Sequence, residues 1–243
     1  MPDESDPKTE IKSSAYTDDF PDTRWSVILT ARSDSDDAGD ALDQWCRSYW
    51  KPINAYVKAR GVNDPDETTQ AFFVHMLEKK GAGLPDNTKG KLRAYLMRSV
   101  KHFITDQWRK QNAQKRGSNA EHVGIEFGHD IDENHEQEPD KQFERRWALN
   151  LMERAMQRLE HEMAHSGKGL HFKYMKTMLS GGEDPKLRQE AIETLGMTSS
   201  NFRIALYRVR KRYRHLLEDE IMQTVTTREE FEDELNYFMS LWS

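Results

Sequence analysis

The chain has 243 residues, of which 36% are hydrophobic and 32% charged, with a formal net charge of -6. That apolar content is thin, which suits small helical domains joined by polar connections and counts against one large enzyme core. The single cysteine, Cys46, excludes an internal disulfide and any zinc site made of cysteines.

No apolar run approaches the ~18 residues needed to cross a membrane, and the acidic N-terminus lacks the basic start of a signal peptide, so the expectation is a soluble, cytoplasmic protein with no membrane span. The length fits one or two domains, and the pattern along the chain predicts two. The net charge conceals segregation: residues 89–116 hold nine basic residues and one acidic, while residues 117–141 hold eight acidic and one basic. Local patches rather than the sum govern binding to nucleic acid.

Residues 1–22 carry seven acidic residues, two basic and few apolar ones, and predict a disordered acidic tail. A first helical domain is expected over 23–116. Trp25, Ile28 and Leu29 give its first apolar face, capped by Asp22 or Thr23. A second helix is expected from Ala38 to Gly61, with Leu42, Trp45, Tyr49, Ile53 and Tyr56 at helical spacing, a bend or split at Pro52 and a stop at Gly61. A third begins after Asp64 and Pro65, with Phe72, Phe73, Met76 and Leu77 apolar. Residues 81–90, GAGLPDNTKG, read as a loop. The next helix has the stripe Leu92, Leu96, Val100, Ile104 and Trp108, flanked by Lys89, Lys91, Arg93, Arg98, Lys101 and His102. Cations interleaved with Tyr95, Phe103 and Trp108 suit an unstacked nucleic-acid strand, whose phosphates are neutralised while its bases rest on rings. On a helix, the same aromatics equally suit a core.

Residues 117–141 lack helical periodicity and predict an acidic linker. A second domain is expected over 142–217, opened by Phe143, Trp147, Leu151, Met156 and Leu159. Near its end, Leu187, Ala191 and Leu195 mark a helix that Gly196 stops, and Thr198 is placed to cap another with Phe202, Leu206, Val209, Tyr213 and Leu216 on its inner face. Its other face carries Ser200, Asn201, Arg203, Tyr207, Arg208 and Lys211, and residues 203–214 hold six basic residues and no acidic one. That is the pattern of a helix-turn-helix whose second helix enters the major groove, although a solvated basic helix of a bundle has the same spacing. Residues 218–243 form an amphipathic acidic extension with Phe231, Leu235, Phe238, Met239 and Trp242 on one face, which requires a partner surface. The expected fold class is therefore all-α, two helical domains joined by an acidic linker.

In this order within one chain, three stretches resemble the bacterial sigma factors of RNA polymerase, specifically the small extracytoplasmic-function (ECF) type of the sigma-70 family in a subgroup with a C-terminal extension. DPDETTQAFF at 64–73 is similar to the family's polymerase-clamp helix, LRAYLMRSVKHFITDQWRKQNAQKRG at 92–117 to its minus-10 helix, and residues 187–217 to its minus-35 helix-turn-helix. The resemblance implies that Asp66, Glu67, Gln70 and Phe73 bind core RNA polymerase. It implies that Asn87, Lys89, Lys91, Arg93, Arg98, Lys101 and His102 meet the melted minus-10 strand, and that Ser200, Asn201, Arg203, Tyr207, Arg208 and Lys211 meet minus-35 DNA. The partners it implies are core RNA polymerase and promoter DNA, with an anti-sigma factor or other regulatory partner in the same class. It implies no cofactor, no metal and no catalysis by this chain.

Two other readings compete. HEMAHSGKGLH at 161–171 contains the HExxH zinc signature, with His161, His165 and His171 as ligands and Glu162 as general base. The glycine such hydrolases require falls on Lys168, between Gly167 and Gly169, and no strand pattern supports the motif. A stand-alone helix-turn-helix regulator would keep the duplex-binding helix, but it has no need of the separate basic helix at 92–117.

Overall fold

The structure, a computed structural model, describes residue 30 and residues 36–78, 91–117, 133–179 and 184–242. The fold is all-α, and no strand occurs among the described residues. The acidic tail, the first helix expected around Trp25, the loop at 81–90 and residues 118–132 of the expected linker lie outside the described residues.

Helix α1 (Ala38–Ala59) turns Trp45, Tyr49, Ile53 and Tyr56 inward at four- and three-residue spacing, and Gly61 follows its end with φ 69°. The helix runs through Pro52 rather than splitting there. Proline has no N–H, so the Ser48 carbonyl loses its helical donor. Asn150 Nδ2, from another helix, donates to that carbonyl instead. In α2 (Pro65–Glu78), the Glu67 N–H donates to Asp64 Oδ1 at 3.0 Å, which fixes the start where Pro65 predicts it. Asn54 Nδ2 ties α1 to α2 by donating to Asp66 Oδ1 at 2.8 Å and Thr69 Oγ1 at 3.2 Å. Helix α3 (Leu92–Gly117) buries Leu92, Leu96, Val100, Phe103 and Ile104; Trp108, expected on the same stripe, is 45% exposed because the core ends one turn earlier.

Helix α4 (Glu133–His165) is 33 residues long, ~50 Å at 1.5 Å per residue. It begins within the segment expected as linker: residues 133–141 have no apolar stripe of their own and extend a helix whose stripe lies further on. Phe143, Trp147, Ala148 and Leu151 join the core of α1, α2 and α3, whereas Ala155, Leu159 and Met163 join a second core. That second core is completed by α5 (Gly169–Met175), a 3-10 turn (Lys176–Met178), α6 (Pro185–Thr194) and α7 (Ser199–Met222).

Helix α7 continues five residues past the expected boundary at 217 and sends Ile221 into the first core. It runs antiparallel to α4, because Glu162 pairs with Arg212 while Arg158 pairs with Asp219 and Glu220. A turn then leads to α8 (Arg228–Ser240), whose Phe238 is buried in the first core at 6.3 Å, edge-on, from Trp147. Two apolar cores thus share α4 and α7 as common walls. Each fully buried aromatic or aliphatic side chain in them contributes about 1.5–3 kcal/mol.

Candidate functional site

The turn between α6 and α7 sets an exposed basic face. Asp184 Oδ1 accepts from the Lys186 N–H at 2.8 Å to start α6, with Pro185 as its first residue. At the other end Gly196 has φ 60°, the left-handed conformation that a side chain resists. Its N–H donates to Glu193 O at 3.2 Å and the Met197 N–H to Ile192 O at 3.0 Å, so the last carbonyls of α6 are satisfied. Thr198 Oγ1 accepts from the Asn201 N–H at 3.2 Å and starts α7. Phe202, Leu206 and Val209 face the core, and all six residues expected at DNA, Ser200, Asn201, Arg203, Tyr207, Arg208 and Lys211, are exposed, Tyr207 at 66%.

The basic residues of α7 divide into two groups. Arg210 donates to the Met178 carbonyl at 3.2 and 2.7 Å, Arg212 holds Glu162 at 2.8 and 2.7 Å, and Arg214 holds Glu218 at 2.9 Å. Arg203, Arg208 and Lys211 have no carboxylate partner among the described residues. The structure therefore uses up one set of cations internally and leaves the other on the solvent face.

Helix α3 presents a second basic face. Arg98 and His102 are exposed, with Trp108, Arg109 and Lys110 further along, while Lys101 reaches Asp140 Oδ2 at 3.5 Å. Of the aromatics in this region, Phe103 packs edge-on against Phe72 at 5.7 Å and Tyr95 lies against the core, so Trp108 is the exposed ring. Asn87 and Lys89 lie outside the described residues.

Arg93 does not belong to that face. It is 7% exposed, with Nε 2.8 Å from Glu234 Oε1, Nη2 3.1 Å from Glu234 Oε2 and Nη1 3.0 Å from Glu144 Oε1. Its guanidinium lies 4.1 Å from the Tyr237 ring centroid and 5.1 Å from that of Trp147. Burial opposes its charge, but the hydrogen bonds and charge of Glu234 prevail and raise its pKa above the ordinary arginine value. Burial, then the neighbouring Glu144 carboxylate, likewise pushes the Tyr237 hydroxyl well above its usual range. Lys91 is drawn to the same place, 3.4 Å from Asp233 and 3.8 Å from Glu234, and the Leu92 N–H donates to Thr224 O at 3.1 Å. The C-terminal helix is thus fastened over the start of α3. Sequence reasoning missed this contact, although Glu234 sits on the seam of Phe231, Leu235 and Phe238, where a lone acid implies a buried cation.

On α2, Asp66, Glu67 and Gln70 are exposed, together with Val74. Phe73, expected beside them, is 3% exposed and packs edge-on against Trp45 at 4.8 Å and stacked against Trp50 at 5.8 Å. It belongs to the core because its position on the helix faces α1.

The histidine motif is not assembled for metal. His161 and His165 lie 4.0 Å apart between centroids with their rings tilted by 42°, and His165 Nδ1 meets the His161 carbonyl at 2.9 Å. The prospective base Glu162 is held by both prongs of Arg212, whose hydrogen bonds keep its carboxyl below the usual carboxylate range. A Gly167 turn sends His171 onto the next helix, and no group of three metal-ligating side chains occurs among the described residues.

No helix among the described residues is long and apolar enough to cross a membrane. In comparisons with known proteins, no family model, no curated protein and no solved structure matches the chain.

Proposed function

We propose that this chain is a sigma factor of the extracytoplasmic-function type, which binds core RNA polymerase and directs it to promoter DNA. The observation that carries the reading is the division of charge along α7: Arg203, Arg208 and Lys211 lie together on an exposed face with no carboxylate partner among the described residues, while the other arginines of the helix are engaged within the protein. Unpaired cations beside Ser200, Asn201 and Tyr207 fit a helix that neutralises phosphates and reads base edges in the major groove. The tight turn at Gly196 and the Thr198 cap support a helix-turn-helix.

The second basic face favours a sigma factor over a stand-alone regulator. The charge of Arg98, the hydrogen-bonding ring of His102 and the exposed stacking ring of Trp108 on α3 suit an unpaired strand, which duplex binding alone does not require. In this reading α7 sets register on the duplex, α3 stabilises the opened strand, and the exposed stripe Asp66, Glu67 and Gln70 docks on the polymerase. RNA synthesis remains with the polymerase. Lys91, Lys101 and Arg93 are engaged by carboxylates and Arg109 lies 3.9 Å from Asp106, so the strand contact rests mainly on Arg98, His102, Trp108 and Lys110.

The test is capture of bacterial core RNA polymerase by the full chain, repeated with Glu67→Ala and Gln70→Ala together. Specific capture, weakened by the double change, is the expected result. Sequence-specific duplex binding by the free chain with no capture of polymerase would instead establish the stand-alone regulator.

A further inference from the structure

On the face of α7 that remains open, one side chain does not fit phosphate chemistry. Ile204 is 48% exposed, with Arg203 beside it and Ser200, Tyr207, Arg208 and Lys211 within two turns. At ~100° per residue these six side chains occupy an arc of ~140°, and Ile204 lies ~30° from its midline. The buried Phe202, Leu206 and Val209 lie on the opposite side of the helix. Isolated apolar residues on a surface are ordinary, but this one occupies the centre of a polar and cationic face, where a phosphate contact gains nothing from it. Its branching at Cβ restricts χ1 on a helix, so its γ-methyl group is held in place before any partner arrives.

Within the major groove the principal apolar feature is the C5-methyl of thymine, which uracil lacks. We propose that Ile204 is a specificity-determining residue that packs against a thymine methyl group, while Arg203, Arg208 and Lys211 hold the flanking backbone and base edges. The inference rests on the reading of α7 as the helix that enters DNA, and it adds a base preference to that reading: a T·A pair opposite the second turn of α7. Cations that meet phosphate supply affinity for any sequence; Ile204 adds discrimination at its own base pair. Asn201 and Tyr207, exposed on the same helix, leave hydrogen-bonding readout to neighbouring positions.

The test uses the full chain assembled with bacterial core RNA polymerase. Duplexes enriched from a randomised pool are resynthesised with each thymine of the element contacted by α7 replaced singly by deoxyuridine, which keeps the hydrogen-bonding pattern and removes only the methyl. One replacement is expected to weaken binding about fourfold, the effect of one buried methyl. Ile204→Ala should bind the thymine duplex more weakly by a similar factor and no longer distinguish it from the deoxyuridine duplex. Because Ile204 is on the surface, the variant should unfold at the same denaturant concentration as the unmodified chain. Tolerance of deoxyuridine at every position, an enriched element without thymine, or an Ile204→Ala protein as sensitive as the parent would overturn the methyl contact and leave the proposed function standing. Failure to enrich any duplex would overturn both.

Discussion

Arg93 and Glu234, 141 positions apart in the chain, meet through two parallel hydrogen bonds of 2.8 and 3.1 Å, with Glu234 closed off from solvent. A carboxylate buried to this degree is tolerated only because a guanidinium satisfies both oxygens. The pair fastens α8 to the head of α3, and Phe238 against Trp147 supplies the apolar part of the same contact. Glu234→Ala should therefore lower unfolding stability by about 1.5–3 kcal/mol, since it leaves two hydrogen bonds of the buried guanidinium unmade while Glu144 still holds Nη1. Replacing both partners, Arg93→Met with Glu234→Leu, should recover most of that loss. Urea unfolding of the two singles and the double measures it; a Glu234→Ala loss below about 1 kcal/mol would mean that α8 is not an integral wall of the core.

Pro52 and Asn150 form a second dependence between distant positions. The Ser48 carbonyl, left without its helical donor by Pro52, is satisfied by the Asn150 side chain. Asn150→Ala should cost about 1–3 kcal/mol, because it leaves that buried carbonyl unpaired. In a Pro52→Ala background the new N–H at position 52 can close the bond, so the same Asn150→Ala change should cost clearly less. Equal losses in the two backgrounds, measured by chemical denaturation, would show that the two residues are not coupled.

Much of the fold is legible in the sequence, because its helices are bounded by short-range chemistry. Asp64 with Pro65 starts α2, and Gly61 and Gly196 close the helices that precede them. The exposed basic face of α7 follows from spacing alone, since Phe202, Leu206 and Val209 fix which side is buried. What spacing does not reveal is partnership over long separations. Arg93 reads as one more cation of a basic helix until Glu234 arrives from the C-terminal extension, and Phe73, apolar by spacing, is set among the polymerase contacts by the resemblance until Trp45 is seen against it. Similarly, Phe143 and Trp147 have the same periodicity as Leu159, yet the two ends of α4 serve different cores. Periodicity identifies a buried face; it does not identify what buries it.

Acid should weaken the Glu162–Arg212 contact in a defined direction. The Arg212 hydrogen bonds hold the folded-state pKa of Glu162 below its ordinary carboxylate value, so the stabilisation is complete above the unfolded value near ~4.3 and is lost as pH falls through the lower folded value. Both side chains are substantially exposed, 39% and 50%, so solvent screening limits the contribution to about 0–1 kcal/mol. The stability difference between the unmodified chain and Glu162→Gln should accordingly be present at neutral pH and shrink on acidification. A difference that grows as pH falls would contradict the assigned sign.

The division of charge along α7 gives the sharpest separation of outcomes. If the open cations meet DNA, Arg203→Ala, Arg208→Ala and Lys211→Ala should each weaken promoter binding by the polymerase-bound chain and leave its unfolding nearly unchanged. A residue that meets only phosphate should weaken all sequences alike and reduce the salt slope by about 1, whereas one that reaches a base edge should cost about 1–3 kcal/mol of discrimination at one position. Arg212→Ala and Arg214→Ala remove the same formal charge from the same helix, but those side chains are already committed to Glu162 and Glu218. They should affect DNA binding less than the first three. Titrations at several salt concentrations compare the two sets directly, and equal losses across all five would reduce the face to a general electrostatic attraction with no oriented groove contact.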